Sequence, residues 1–148
     1  MIQSSLACSD DPIVGPMIGL ARCSKHHRII VAGTNRSELM FDLHRRGYGR
    51  VATTTTCGLP DGQYDVALVD WRQHSIKALE TTLDWLVHFL APSGVLVAWL
   101  DPQERAGNRT LRAMLEEHGL VVEAGTVRAH GSAVAARRCD PYPLSKAA

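Results

Sequence analysis

The sequence predicts an α/β fold: a doubly wound, mostly parallel sheet with a C-terminal antiparallel hairpin. Three observations carry this. Short apolar runs, continuous at Ile29–Ala32 and Val95–Leu100 and broken only by Asp65 in Tyr64–Val69, read as buried strands. Stretches with helical spacing lie between them, the alternation that builds a parallel sheet with helices on both sides. The last stretch, Leu120–Arg138, reads instead as two strands joined near His130-Gly131, an edge hairpin.

The elements follow in order. Asp11-Pro12 is a helix start that Gly15 and Pro16 interrupt. A basic lead-in (Lys25, His26, His27, Arg28) precedes the first strand, which Gly33 ends. Asn35-Arg36-Ser37-Glu38 has the form of a capping box. Its helix runs to about Arg46, with Leu39, Met40 and Leu43 inward and Gly47 as the stop. Arg50–Thr56 is β-branched and predicts a second strand, and 58–62 is turn chemistry. The Tyr64 strand ends at Asp70. From Ser75 to Leu90 the residues Ile76, Leu79, Leu83, Leu86, Val87 and Leu90 fall on one helical face. Pro92-Ser93-Gly94 predicts a tight turn before the strand that ends at Asp101. A helix over Asn108–His118 turns Leu111, Met114 and Leu115 inward and stops at Gly119. This divides the chain into an N-terminal segment (1–27), an α/β domain (28–138) and a fraying tail (139–148).

The 148 residues suffice for one core, and 45% hydrophobic with 21% charged residues excludes disorder over most of the chain. The net charge of +1 gives no global basic field. The run Val95–Leu100 is too short to span a bilayer. No early cation and an acidic Asp10-Asp11 argue against a signal peptide, so no membrane and a cytoplasmic location are expected. Cys8, Cys23, Cys57 and Cys139 are scattered and read as free thiols. Cys23 with His26 and His27 matches no zinc spacing, so no metal is expected. Arg22, Lys25 and Arg28 with the two histidines are a weak nucleic-acid signal, lacking interleaved aromatics.

Two segments carry a family resemblance. Leu86-Val87-His88-Phe89-Leu90-Ala91-Pro92-Ser93-Gly94-Val95-Leu96-Val97 resembles the helix, turn and fifth strand of class I S-adenosylmethionine-dependent methyltransferases. Leu59-Pro60-Asp61-Gly62-Gln63-Tyr64-Asp65-Val66 is similar to that family's approach to its fourth strand. Leu111–Val122 and the closing hairpin match its C-terminal half, so the resemblance covers about residues 28–138. It implies a truncated methyltransferase-like Rossmann fold with S-adenosylmethionine as the possible cofactor. The cofactor-binding positions it implies are Gly33, Thr34, Asn35, Thr55, Asp70 and Trp71, at the carboxyl ends of strands.

The departures from the family fall on that site. The loop Gly33-Thr34-Asn35-Arg36-Ser37 has one glycine where the family has two or three, and Arg36 brings a cation towards the sulfonium. The acid that ends the family's second strand is replaced by Thr53–Thr56, a poorer acceptor for ribose hydroxyls. The helix and strand that normally follow are missing. Asp70 as general base with His74 as proton shuttle is the catalytic pair an enzyme would use, with Trp71 as a stacking surface. In the alternative, Asp70 caps a helix and Trp71 packs over the sheet edge.

Two functions stay open: a binding or regulatory module on a degenerate cofactor site, which the three departures favour, or an active methyltransferase of unknown substrate. A receiver-like domain fails, because no acidic pair follows the first strand. Trp85 and Phe89 widen the apolar face of the Ser75–Leu90 helix, so homo-oligomer contacts are expected through it or through Pro12–Ala21. A small-molecule or protein partner is not identified by the sequence.

Overall fold

A computed structural model of the chain describes residues 13–34, 36–53, 62–72, 75–101, 105–128 and 131–138. The elements are α1 (Val14–Ala21), β1 (Ile29–Gly33), α2 (Arg36–Arg45), β2 (Val51–Thr53), β3 (Tyr64–Asp70), α3 (Ile76–Leu86) with a 3-10 turn (Val87–Phe89), β4 (Leu90–Leu100), α4 (Arg105–Glu117), β5 (Leu120–Arg128) and β6 (Gly131–Arg138). They build one six-stranded sheet in the order β2-β1-β3-β4-β6-β5. The first four strands are parallel, and β6 runs antiparallel to both β4 and β5.

The apolar runs are continuous because helices cover both faces. Alternate residues point to opposite sides. Ile30, Ala32, Val69, Leu96 and Ala98 join a core with Leu79 and Leu83 of α3 and Leu111 and Leu115 of α4. Ile29, Val31, Leu68, Val97 and Trp99 face the other side, against Val14 and Met17 of α1 and Leu39 and Leu43 of α2.

Several local expectations are corrected. Gly15 and Pro16 do not interrupt α1. Pro16 lies in the first turn, where a missing N–H costs no helical hydrogen bond. The helix stops at Arg22, which is left-handed, and its N–H and that of Cys23 close on the Gly19 and Ile18 carbonyls. The strand expected over Arg50–Thr56 is described as Val51–Thr53; Arg50 lies just before it, and 54–56 lie outside the described residues. Pro92-Ser93-Gly94 sits inside β4 rather than before it. The β3 pairing jumps from Tyr64 with Leu90 to Val66 with Val95, and Ser93 takes a φ of 74°.

Two cations ending the last strand ordinarily suggest a protected sheet edge, but β6 lies inside the sheet and the hairpin's outer strand is β5. They hold chain turns instead. The Arg137 guanidinium reaches the Ser93 carbonyl at 2.8 Å and Glu123 at 2.7 Å. Arg138 donates to the Val87 and Leu90 carbonyls at the end of the 3-10 turn. The expected Ser75–Leu90 helix is α3 plus that turn. Ser75 caps it by accepting the Ala78 N–H at 3.3 Å. Phe89 is buried, edge-on to Tyr64 and Trp85, while Trp85 is about one third exposed.

His118, just past α4, fastens that helix to α3. Its ring nitrogens lie 2.8 Å from the Met114 carbonyl and 2.8 Å from the Asp84 carboxylate. Burial opposes the imidazolium, but the Met114 carbonyl and Asp84 outweigh it and raise the pKa. A raised folded-state pKa means a contribution that is complete below about pH 6.5 and lost as pH rises through the folded value. The melting temperature should therefore fall between about pH 6 and 8 more steeply in wild type than in His118→Gln. Parallel curves in thermal melts would remove this role.

Candidate functional site

The carboxyl ends of β1, β3 and β4 meet along one edge of the sheet. Strand order changes direction between β1 and β3, the position where open α/β sheets ordinarily leave a ligand crevice. Gly33 pairs with Asp70 there, and Asp70 with Trp99. The approach of Gly33 is closer than any side chain permits. A Cβ built on it would stand 2.0 Å from the Asp70 carbonyl oxygen, and its φ is +108°.

Beyond that pairing the two loops are joined rather than splayed. The Thr34 N–H donates to the Asp70 carbonyl at 2.7 Å, and the Thr34 hydroxyl donates to the Arg72 carbonyl. The Trp71 N–H donates to the Trp99 carbonyl at 2.9 Å. Three adjacent strand ends are thus tied in a row.

The side chain of Asp70 is 1% exposed and is held by Arg72, with Nε 2.8 Å from one oxygen and a terminal nitrogen 2.6 Å from the other. The fork geometry gives a strong, directional ion pair. It occupies both carboxylate oxygens that a general base would present. Trp71 is buried at 6% exposure. Its ring belongs to the core under α3, and its indole N–H donates to the Ser75 carbonyl at 2.8 Å. Asp101 is half-buried just beyond β4. The Arg36 guanidinium is exposed and lies 3.4 Å from the Gly33 carbonyl. Thr53, which opens the threonine run, is buried at the end of β2.

Of the residues singled out in the sequence, Gly33, Thr34, Asp70 and Trp71 are therefore neighbours at this edge. Asn35, Thr55 and His74 lie outside the described residues. Arg72 is the member that sequence reasoning passed over. The only signal was a cation two residues after a strand-ending acid, a spacing that places the two together when the chain turns at once. Among the described residues, no group of three His, Cys, Asp or Glu side chains can hold a metal ion. Burial pushes the Cys23 thiol up to about 12, which keeps it protonated and a poor ligand or nucleophile. No helix among the described residues is long and apolar enough to cross a membrane.

Comparison with solved structures places the fold. Geranyl diphosphate C-methyltransferase from Streptomyces coelicolor, solved with S-adenosyl-L-homocysteine, superposes with a TM-score of 0.62 at 10% identity, over 86% of this chain and 77% of that one. A Burkholderia thailandensis 1,6-didemethyltoxoflavin-N1-methyltransferase, also with S-adenosylhomocysteine, gives 0.62 at 14% identity, over 89% and 79%. An Aquifex aeolicus SAM-dependent methyltransferase gives 0.58 at 13%, over 91% of this chain and 97% of that one. No protein-family model and no curated protein matches the sequence. The fold is that of class I methyltransferases in a shortened form. Ten residues separate β2 from β3, too few for the missing crossover helix and strand.

Two variants test the junction. Gly33→Ala should lower stability by about 2–4 kcal/mol in urea unfolding, because the new Cβ collides with backbone. Arg72→Ala should cost about 3 kcal/mol by leaving a buried carboxylate unpaired, and Asp70→Asn combined with Arg72→Ala should cost less than Arg72→Ala alone. Strict additivity would mean that the pair is not coupled.

Proposed function

We propose that this domain keeps the methyltransferase fold without competent S-adenosylmethionine binding and works as a binding or regulatory module. The observation that carries the proposal is the closure of the β1/β3 junction by Thr34 and by the Asp70–Arg72 pair. A bound cofactor needs the backbone after β1 to stand open and its N–H groups to face the ligand. Here the Thr34 N–H and hydroxyl are both committed to the β3 side. The cofactor also carries a sulfonium cation, and the exposed Arg36 adds a guanidinium to the same edge. Asp70 does not compensate for it, since Arg72 already neutralises that carboxylate. The described residues at this edge do not suit the cofactor, and no catalytic step is assigned to them.

The active-methyltransferase alternative rests on the retained strand order and Gly33, and one experiment separates the two. Isothermal titration calorimetry with S-adenosylmethionine and S-adenosylhomocysteine should give no heat, and about 1 mM of either should leave the melting temperature unchanged. A dissociation constant in the micromolar range would overturn the proposal and begin a search for a methyl acceptor. A module that acts through contacts also includes self-association, and light scattering at high concentration reads dimer or monomer directly.

A further inference from the structure

The opposite edge of the sheet has a different character. Residues 22–50 hold seven lysines and arginines against two acids, a formal +5 in a chain of net +1. Six of the seven, Arg22, Lys25, Arg28, Arg45, Arg46 and Arg50, flank the amino-terminal starts of β1 and β2. The fold brings their two segments together through Tyr48. Its ring is buried, and the Lys25 ammonium sits 5.1 Å from the ring centre. Arg45 and Arg46 share a single buried carboxylate, Asp42. Among the described residues Arg22, Lys25, Arg28 and Arg50 form no ion pair, and all four are exposed.

The clefts along this edge include two with arginine in their walls. One, of about 460 Å³, is lined by Arg28, Gly49, Arg50, Gln63 and Tyr64. The other, of about 250 Å³, is lined by Arg22, His27, Asp65, Ser93 and Arg137. Among the described residues the carboxylates here are outnumbered. Asp65 accepts the Arg28 backbone N–H at 3.0 Å, and Glu123 bonds Arg137 at 2.7 Å. From β2 to β6 the strip crosses four strand spacings, about 19 Å.

We propose that this amino-terminal edge binds single-stranded nucleic acid, with Arg50, Arg28, Arg22 and Arg137 contacting successive phosphates. The chemistry favours phosphodiesters over other anions. Five of the six cations flanking the strand starts are guanidinium groups, whose planar fork matches phosphate. Aromatic surface is available for bases: Tyr64 lines the first cleft, and Phe41 is 62% exposed one helical turn before Arg45. A strip of clefts between strand starts accepts one backbone, and no helix among the described residues starts from it to enter a duplex groove. The proposal is independent of whether the carboxyl edge binds S-adenosylmethionine, because the two edges lie at opposite ends of the strands.

The test is fluorescence anisotropy of the full chain with labelled single-stranded RNA and DNA of about 15 nucleotides, a blunt duplex, and phosphatidylserine vesicles as a lipid control. Single strands should bind at low salt, and four phosphate contacts predict a log–log salt slope of about −3. That corresponds to a roughly 50-fold loss between about 50 and 200 mM salt. Arg28→Gln with Arg50→Gln should weaken binding at least about tenfold and halve the slope. Arg22→Gln alone should reduce the slope by about 0.7, and Lys77→Gln, at the other edge, should change nothing. All these side chains are exposed, and thermal melts confirm folding. Three outcomes would overturn the proposal: no binding at about 100 μM protein, unchanged affinity in the arginine variants, or equal or tighter binding of duplex or vesicles.

Discussion

Gly33 rests against the backbone of Asp70 so closely that the two strand ends behave as one joint. Neighbouring strands lie about 4.8 Å apart along their length. Where β1 and β3 end, the loops would ordinarily diverge, since one chain leaves to each side of the sheet. Here Thr34 carries the ladder one residue further, and the Trp71 N–H does the same towards β4. The buried Asp70 carboxylate is tolerable in this place because Arg72 turns back on it at once. Remove the glycine and the joint cannot close. Remove the arginine and the joint encloses an unpaired charge. The positions of Trp71 in the core and of Ser75 at the head of α3 follow from the same turn.

The layered fold was legible because it is written in burial. Ile29–Ala32, Tyr64–Val69 and Val95–Leu100 are apolar at every or nearly every position, and only a strand covered on both faces requires that. Gly47 and Gly119 follow helices, and both have positive φ. What was not legible depended on which strands become neighbours. Arg137 and Arg138 look like edge protection if β6 is outermost, yet the chain runs out to β5 first and returns to pair with β4. The pairing of Asp70 with Arg72 was hidden for another reason: side-chain direction after a strand end is set by the turn, and no periodicity records it. Pro92-Ser93-Gly94 carried correct turn chemistry but gave no hint that the ladder resumes on both sides of it.

The two ends of the parallel strands have diverged in charge. At the carboxyl ends a buried acid and its arginine neutralise each other, and hydrogen bonds join the loops. At the amino ends Arg22, Arg28 and Arg50 stand in solvent and, among the described residues, form no ion pair. Burial explains the contrast: an unpaired charge is costly inside the joint and cheap on a solvated rim. A chain of net charge +1 therefore carries a local field its total conceals.

The hairpin that closes the sheet bears on how the protein behaves when crowded. β5 is an edge strand of nine residues with Val121 half exposed and Val127 more so, the kind of border to which another molecule's strand adds itself. Its ladder with β6 skips Glu123, which is left over between the pairs of Val122 and Ala124 and whose carboxylate is fastened to Arg137. A surplus residue bends the strand and throws its outward N–H and C=O groups out of step with a straight partner. The bulge thus keeps an otherwise inviting border from templating fibrous growth. Shortening β5 by that one residue would straighten it and open the border to strand addition.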